Sequence, residues 1–251
     1  MRSSTEGVQL DITTADGGST TIVNNNGGNN SFEPVSIGKP KVKRIVMNFI
    51  GSGAVSFIAT GMDQDPSCVP HPLSDLELHS AGDLVTDLGD GVFVSAYTTG
   101  NIGLGAAMVF NTTEPSSVDL DLGTPHNSFG GPGFGIAGKK GRLFENSESL
   151  GNVLIVSADG NATVPNDSAK GGDILFTFTS PTYINSIGVL DNESGFVMAV
   201  TLSDNSVSYY INMNGGNNSF ERVSVGKPEV VSMNIQLLGS GAVTSPNGEC
   251  Y

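Results

Sequence analysis

The chain has 251 residues, with 11 basic against 25 acidic side chains and a formal net charge of −14. So acidic a surface repels nucleic-acid phosphates and anionic lipid, which excludes both as partners held by charge. The sequence has no long unbroken apolar run, so no membrane-spanning helix is expected. Its 34 Gly and 12 Pro predict an all-β chain rich in turns.

Residues 1–6 read as a loose start without the apolar run of a signal peptide. This suits a cytosolic protein, or a mature piece of an exported or organelle-targeted precursor. Residues 7–59 are the first copy of an internal repeat. Gly27 to Val55 (GGNNSFEPVSIGKPKVKRIVMNFIGSGAV) returns as Gly215 to Val243 (GGNNSFERVSVGKPEVVSMNIQLLGSGAV). The offset, 215 − 27 = 188, holds without a gap from Gly7/Gly195 to Ser56/Thr244. Such a repeat means two copies of one structural unit.

Within the first copy, Val8, Leu10 and Ile12 alternate with Gln9, Asp11 and Thr13, and Ile45, Met47 and Phe49 alternate with Val46, Asn48 and Ile50. Period-two alternation predicts half-buried strands. Asn-Gly-Gly-Asn-Asn and Gly-Lys-Pro between the strands suit turns. Gly-Ser-Gly-Ala-Val lacks the Lys and the following helix of a phosphate-binding loop, so it reads as a turn or bulge.

Residues 61–73, with three prolines, read as a linker. Residues 74–245 read as one complete β module, whose back third, 195–244, is the second repeat copy. Short strands are expected near 85–97, 108–110, 152–158, 174–179 and 183–190. Asp/Gly/Pro-rich loops are expected at 111–138 and 159–172, and 246–251 read as a tail. Residues 1–60 are then the back third of another module without its front. A β-fragment of that size buries too little to stand alone. Leu10, Ile12, Ile45, Met47 and Phe49 therefore need a covering surface, from the complete module or from another chain.

Candidate chemistry is sparse. Asp119, Asp121 and Asn127 fall in the first acidic loop, and Asp159, Asp167 and Asp173 in or beside the second. Oxygen-rich loops suit Ca2+, and the competing reading is turn capping by Asx side chains. Tyr97, Tyr209 and Tyr210 are candidate stacking platforms for sugar, against packing between sheets. Tyr209 and Tyr210 are consecutive on a strand, so one of them is expected to face out. His71, His79 and His126 fit no catalytic triad. Nothing places any two of Glu114, Glu145, Glu148 and Asp191 across a cleft. Gly131 to Gly138 reads as a flexible crossing loop rather than a dinucleotide loop. Cys68 and Cys250 are open to either reading, a disulfide or two thiols. Six Asn-x-Ser/Thr sequons begin at Asn29, Asn111, Asn161, Asn166, Asn192 and Asn217.

A series of short motifs then carries a family likeness. They are Gly91-Val-Phe-Val-Ser95, Met108-Val-Phe-Asn-Thr112, Asp119-Leu-Asp-Leu-Gly-Thr-Pro125 and Phe129-Gly-Gly-Pro-Gly133. Leu150-Gly-Asn-Val-Leu-Ile155, Ile187-Gly-Val-Leu-Asp191 and Gly239-Ser-Gly-Ala-Val243 follow. In this order they resemble an uncharacterised β-sandwich module of exported bacterial proteins and marine algae. This sequence has Asn111 where an Asp is usual, and Lys139-Lys140 where small residues are usual. The likeness implies an antiparallel, jelly-roll-like sandwich in surface or matrix proteins, without catalysis. Diatom proteins that encase the carbon-fixing compartment of the plastid are a weaker likeness, as paired β-rich repeats.

Taken together, the expectation is a non-enzymatic structural protein that self-associates into a homo-oligomer or polymer, at the cell surface or outside it. The plastid interior, after loss of a targeting segment, is the alternative place. A Ca2+-dependent extracellular module that binds glycan or mediates adhesion is the alternative function, with Ca2+ the one cofactor implied.

Overall fold

The computed structural model describes residues 7–14, 17–24, 42–50, 72–98, 106–212 and 215–248. The chain is all-β and antiparallel, and its described residues hold no α-helix, only three 3-10 turns. No helix among them is long and apolar enough to cross a membrane. The chain divides into two units, Met1–Asp65 and Pro66–Tyr251.

In the first unit, β1 (Gly7–Thr14) lies between β2 (Ser19–Asn24) and β3 (Val42–Ile50). The alternation read from the sequence sets the faces. Leu10 and Ile12 are buried, while Ile45 and Met47 are only half-buried. On the other face Asp11 collects hydrogen bonds from Gln9, Thr21 and Asn48, which hold its carboxyl below the usual range. The side chain of Phe49, the remaining residue assigned to this apolar face, lies outside the described residues, as do Cys68, Cys250, His71 and the sequon at Asn29.

The second unit runs β4 (Leu84–Val85), β5 (Val92–Thr98), β6 (Ala107–Asn111), β7 (Asn152–Ile155), β8 (Gly172–Leu190), β9 (Phe196–Leu202), β10 (Val207–Asn212), β11 (Phe220–Leu237) and β12 (Ala242–Val243). The path across the sheet is β10-β9-β11-β8-β12-β7-β6-β4, with β5 also on β8. Two long strands make this path into a sandwich. The front of β8 pairs β5 and the back half of β11, while its rear pairs β12 and the front half of β11. Between the halves the β8–β11 register shifts at Ser224/Lys227, Lys227/Val230 and Val230/Ser232. Pro228 and Glu229 fall between the pairs Lys227–Ile184 and Val230–Thr182 at this corner, Pro181 follows on β8, and Gly226 and Glu229 take φ of 58° and 60°. Proline cannot serve a ladder and left-handed residues bend it, so both strands fold over together.

One core lies between the halves. It joins Ile174, Phe176, Met198, Val200 and Ile235 from one side to Val109, Leu154, Ile187, Val189 and Val243 from the other. The second half-sheet is covered on its far face as well. Met108, Phe110, Val153, Ile155 and Leu190 form another cluster there with Leu122 of the long 112–150 loop. This double burial explains why β6 and β7 are apolar at nearly every position rather than at alternate ones. Among the described residues the one ion pair, Arg222–Glu148, is about half exposed, so packing holds this fold.

The repeat is reproduced down to the hydrogen-bond register. In β1–β2, Leu10 pairs Ile22 and Ile12 pairs Thr20. Their counterparts 188 positions on, Met198–Tyr210 and Val200–Ser208, pair in β9–β10. Leu10–Met47 and Ile12–Ile45 likewise match Met198–Ile235 and Val200–Met233. The register shift at Thr13/Thr14 recurs at Val230/Ser232, opposite Thr201 and Leu202. A bulge kept in place twice is a designed feature of the unit.

Residues 246–248, read above as a tail, are built into the module instead. Leu73 N donates to Pro246 O (2.8 Å), and Asn247 exchanges backbone hydrogen bonds with Asn185 and Ser186. Residues 72 and 73 of the expected linker belong to the module for the same reason.

Candidate functional site

Loops and strand ends meet where β8 finishes and β11 and β12 begin, and they bring together Asp119, Asp121, Asp167, Asp191 and Glu193. Asp119 and Asp121 are set by the 3-10 turn Leu120–Leu122, which anchors the long loop through buried Leu122. Asp191 follows β8 and Asn218 precedes β11, with φ of 56° and 58°. Asp and Asn tolerate this left-handed region better than other side chains.

The cluster has few donors. Asp167 Oδ2 accepts from Ser240 Oγ (2.8 Å) and Gly241 N (2.5 Å). Asp191 Oδ1 accepts from Asn218 N (2.6 Å), and its Oδ2 lies 2.8 Å from the same Ser240 Oγ. Asn217 Nδ2 donates to Glu193 Oε1 (2.9 Å) and, more weakly, to Asp121 Oδ2 (3.4 Å). Asp119 Oδ2 accepts from Asp167 N (3.0 Å). Asn166, with its amide nitrogen turned to Asp119, reaches both carboxylate oxygens at 3.0 and 3.1 Å. Asp167 and Asp191 are 6% and 0% exposed. Burial, then the neighbouring carboxylates, pushes Asp119 and Asp191 up to about 7, and burial also raises Asp121 and Asp167.

The structure divides the six residues assigned to a cation. Asp119, Asp121 and Asp167 enter the cluster. Asn127 is exposed on a 3-10 turn. Asp159 is exposed and accepts from Asn161 N (2.9 Å), the Asx-turn role. Asp173 stands on β8, not in a loop, and accepts from Asn234 Nδ2 (2.9 Å). Among the described residues no three acidic, His or Cys side chains form a group that could hold a metal ion. Asp191, Glu193, Asn217, Asn218 and Ser240 are the cluster members the sequence reading missed. Gly-Ser-Gly-Ala-Val reads as a turn or bulge, yet its Ser240 and Gly241 supply the donors to Asp167 Oδ2. That motif occurs in both copies, which was the one signal available.

The tyrosines separate as strand geometry requires. Tyr209 is 68% exposed on β10, flanked on its face by Val207 and Ile211 at 43% and 63%. Tyr210 turns inward, packs on the core and donates to Val225 O (2.9 Å), so it is no platform. Tyr97 is part-exposed on β5, opposite Asp173. Strand β10 ends the sheet path, so its second edge has no strand partner among the described residues. At the matching positions of β2 stand Ser19, Thr21 and Val23. The two copies keep the same core face but present different outer faces.

Other candidates have local roles. His126 is buried; its Nδ1 accepts from Ser128 N (2.9 Å) and its Nε2 donates to Gly135 O (2.7 Å). Gly131 to Gly138 is not a free crossing loop, because Gly135 and Gly138 lie against Asn217 and Asn218 with no space for a Cβ. Glu148 pairs Arg222, and Glu145 accepts from Gly141 N (2.9 Å). Asn192 is buried and Asn161 exposed, which separates two of the sequons.

No protein-family model matches the chain, and no curated protein matches it. Among solved structures it is similar to a chain described as "CpGH89CBM32-6 produced by Clostridium perfringens". The likeness covers 39% of this chain and 90% of that one, at 11% identity and a TM-score of 0.25.

Proposed function

We propose that this protein is a non-enzymatic structural β protein that self-associates through its strand edges. The observation that carries this reading is the repeated three-strand unit, alike in register and bulge, whose outer strands β2 and β10 have no second strand partner among the described residues. An edge strand offers a row of unpaired N–H and C=O groups, and proteins that do not use such edges blunt them with charge or proline. On β10 the exposed row is Val207, Tyr209 and Ile211 instead. Light scattering on the purified chain across a hundredfold range of concentration tests the reading. Mass that rises with concentration supports it, and a monomer throughout sinks it.

A second reading is a Ca2+-dependent module that binds glycan at the surface of a cell. It is favoured by the five clustered carboxylates and by exposed Tyr209. Against it stands the lack of a closed ligand group among the described residues. Titration calorimetry with CaCl2 separates the two readings, since heat at millimolar Ca2+ favours the second.

A further inference from the structure

We propose that the edge of β3 that no described residue pairs is a strand acceptor, whose ligand is an antiparallel strand with the pattern of β8 presented by another polypeptide. This goes beyond the self-association reading, because β8 is paired on both edges in every copy of this chain and a second copy does not offer it. The internal repeat supplies the argument. Strand β3 matches the back half of β11 residue for residue, and β1 pairs β3 as β9 pairs β11. In the second unit the other edge of β11 is filled by β8, with Ser232–Thr177, Met233–Phe176, Asn234–Leu175, Ile235–Ile174, Gln236–Asp173 and Leu237–Gly172 as pairs. In the first unit no described residue pairs that edge of β3. Burial differs accordingly. Met233 and Ile235, beside β8, are fully buried, while their counterparts Ile45 and Met47 are half-buried.

The established β8–β11 interface therefore specifies the ligand and its register. The incoming strand runs antiparallel to β3 and sets apolar side chains opposite Met47 and Ile45, as Ile174 and Phe176 do for Ile235 and Met233. Opposite Val46 and Asn48 it sets the places that Leu175 and Asp173 hold opposite Asn234 and Gln236. Backbone hydrogen bonds give affinity in such augmentation, and the alternate side chains give selectivity. The chain's own β8 cannot be lent, because it is paired on both edges within its module. The ligand strand must come from another polypeptide in which it is unpaired.

The test uses the full chain with Cys68 and Cys250 replaced by Ser, and a labelled peptide of residues 172–179 with flanking lysines. Fluorescence anisotropy should show saturable binding, at least tenfold weaker for a scrambled peptide and for one carrying Phe176→Asp. Chain Val46→Cys should form a disulfide with peptide Leu175→Cys and not with peptide Asp173→Cys, two positions out of register. Equal binding of the scrambled peptide, no binding at all, or cross-links without register preference overturns the proposal. Light scattering on the same chain reads self-association separately. A chain that never self-associates, yet cross-links in register, defeats the assembly reading and upholds the acceptor edge.

Discussion

Asp167 and Asp191 meet at one hydroxyl: an Oδ2 of each lies 2.8 Å from Ser240 Oγ. A serine has a single hydroxyl hydrogen, so it can satisfy only one of them. The other faces an oxygen lone pair in a site closed to water, unless a proton or a cation intervenes. Gly241 N also donates to Asp167 Oδ2, whereas the backbone donor of Asp191, Asn218 N, goes to its Oδ1, so Asp191 Oδ2 is the natural place for the proton.

This makes stability depend on pH in a definite direction. In the fold Asp119 and Asp191 are raised to about 7 from an ordinary 3.8. The folded state then binds these protons more tightly than the unfolded chain does. The associated stability is full below about pH 4 and is lost as pH rises through about 7. In buffer without divalent cations, the melting temperature should fall by roughly 5–10 °C for each of the two groups between pH 5 and pH 8, at about 2–4 °C per kcal/mol for a domain of this size. A melting temperature that climbs over that interval refutes the assignment.

Asp191→Asn separates proton from cation. The amide oxygen can still accept from Asn218 N, and the amide nitrogen can donate to Ser240 Oγ, which leaves the hydroxyl hydrogen for Asp167. If a proton normally resolves the contact, this variant at pH 8 melts at or above the parent and its pH profile flattens. A variant that melts several degrees lower at pH 8, in a background where the parent gains stability from millimolar Ca2+, would show that a cation does that work.

The outer face of β10 is expected to act in assembly and not in folding. Val207, Tyr209 and Ile211 are exposed, so Tyr209→Ser with Ile211→Ser should leave the melting temperature within about 2 °C, as surface changes do. Sedimentation velocity should show weaker self-association. Unchanged self-association would remove β10 from the contact.

Phe176 tests the sandwich itself. It is fully buried on β8, paired to Met233 on one side and Val94 on the other. Phe176→Ala should cost roughly 3–5 kcal/mol. A denaturant midpoint close to that of the parent would show that the two half-sheets do not share this core.

The sequence by itself determined the strand type, the repeat and its core face. Alternation at Leu10 and Ile12, and again at Met198 and Val200, has only one reading when the side-chain period is two. Even the outward turn of one member of the Tyr209–Tyr210 pair followed from that period. Which tyrosine turns out, and which acids meet, was decided by the tertiary structure. Asp119, Asp167, Asp191 and Ser240 are separated along the chain by 24 to 121 residues, and no local pattern links them. They converge because β8 and β11 bend together and the long loop is pinned by Leu122. Asp159 and Asn127 sit in loops that look equally acidic or polar, yet they stay in solvent because nothing in the fold draws them inward. Period and turn chemistry are properties of neighbours in sequence, while convergence of side chains depends on how the sheets close, and only packing sets that.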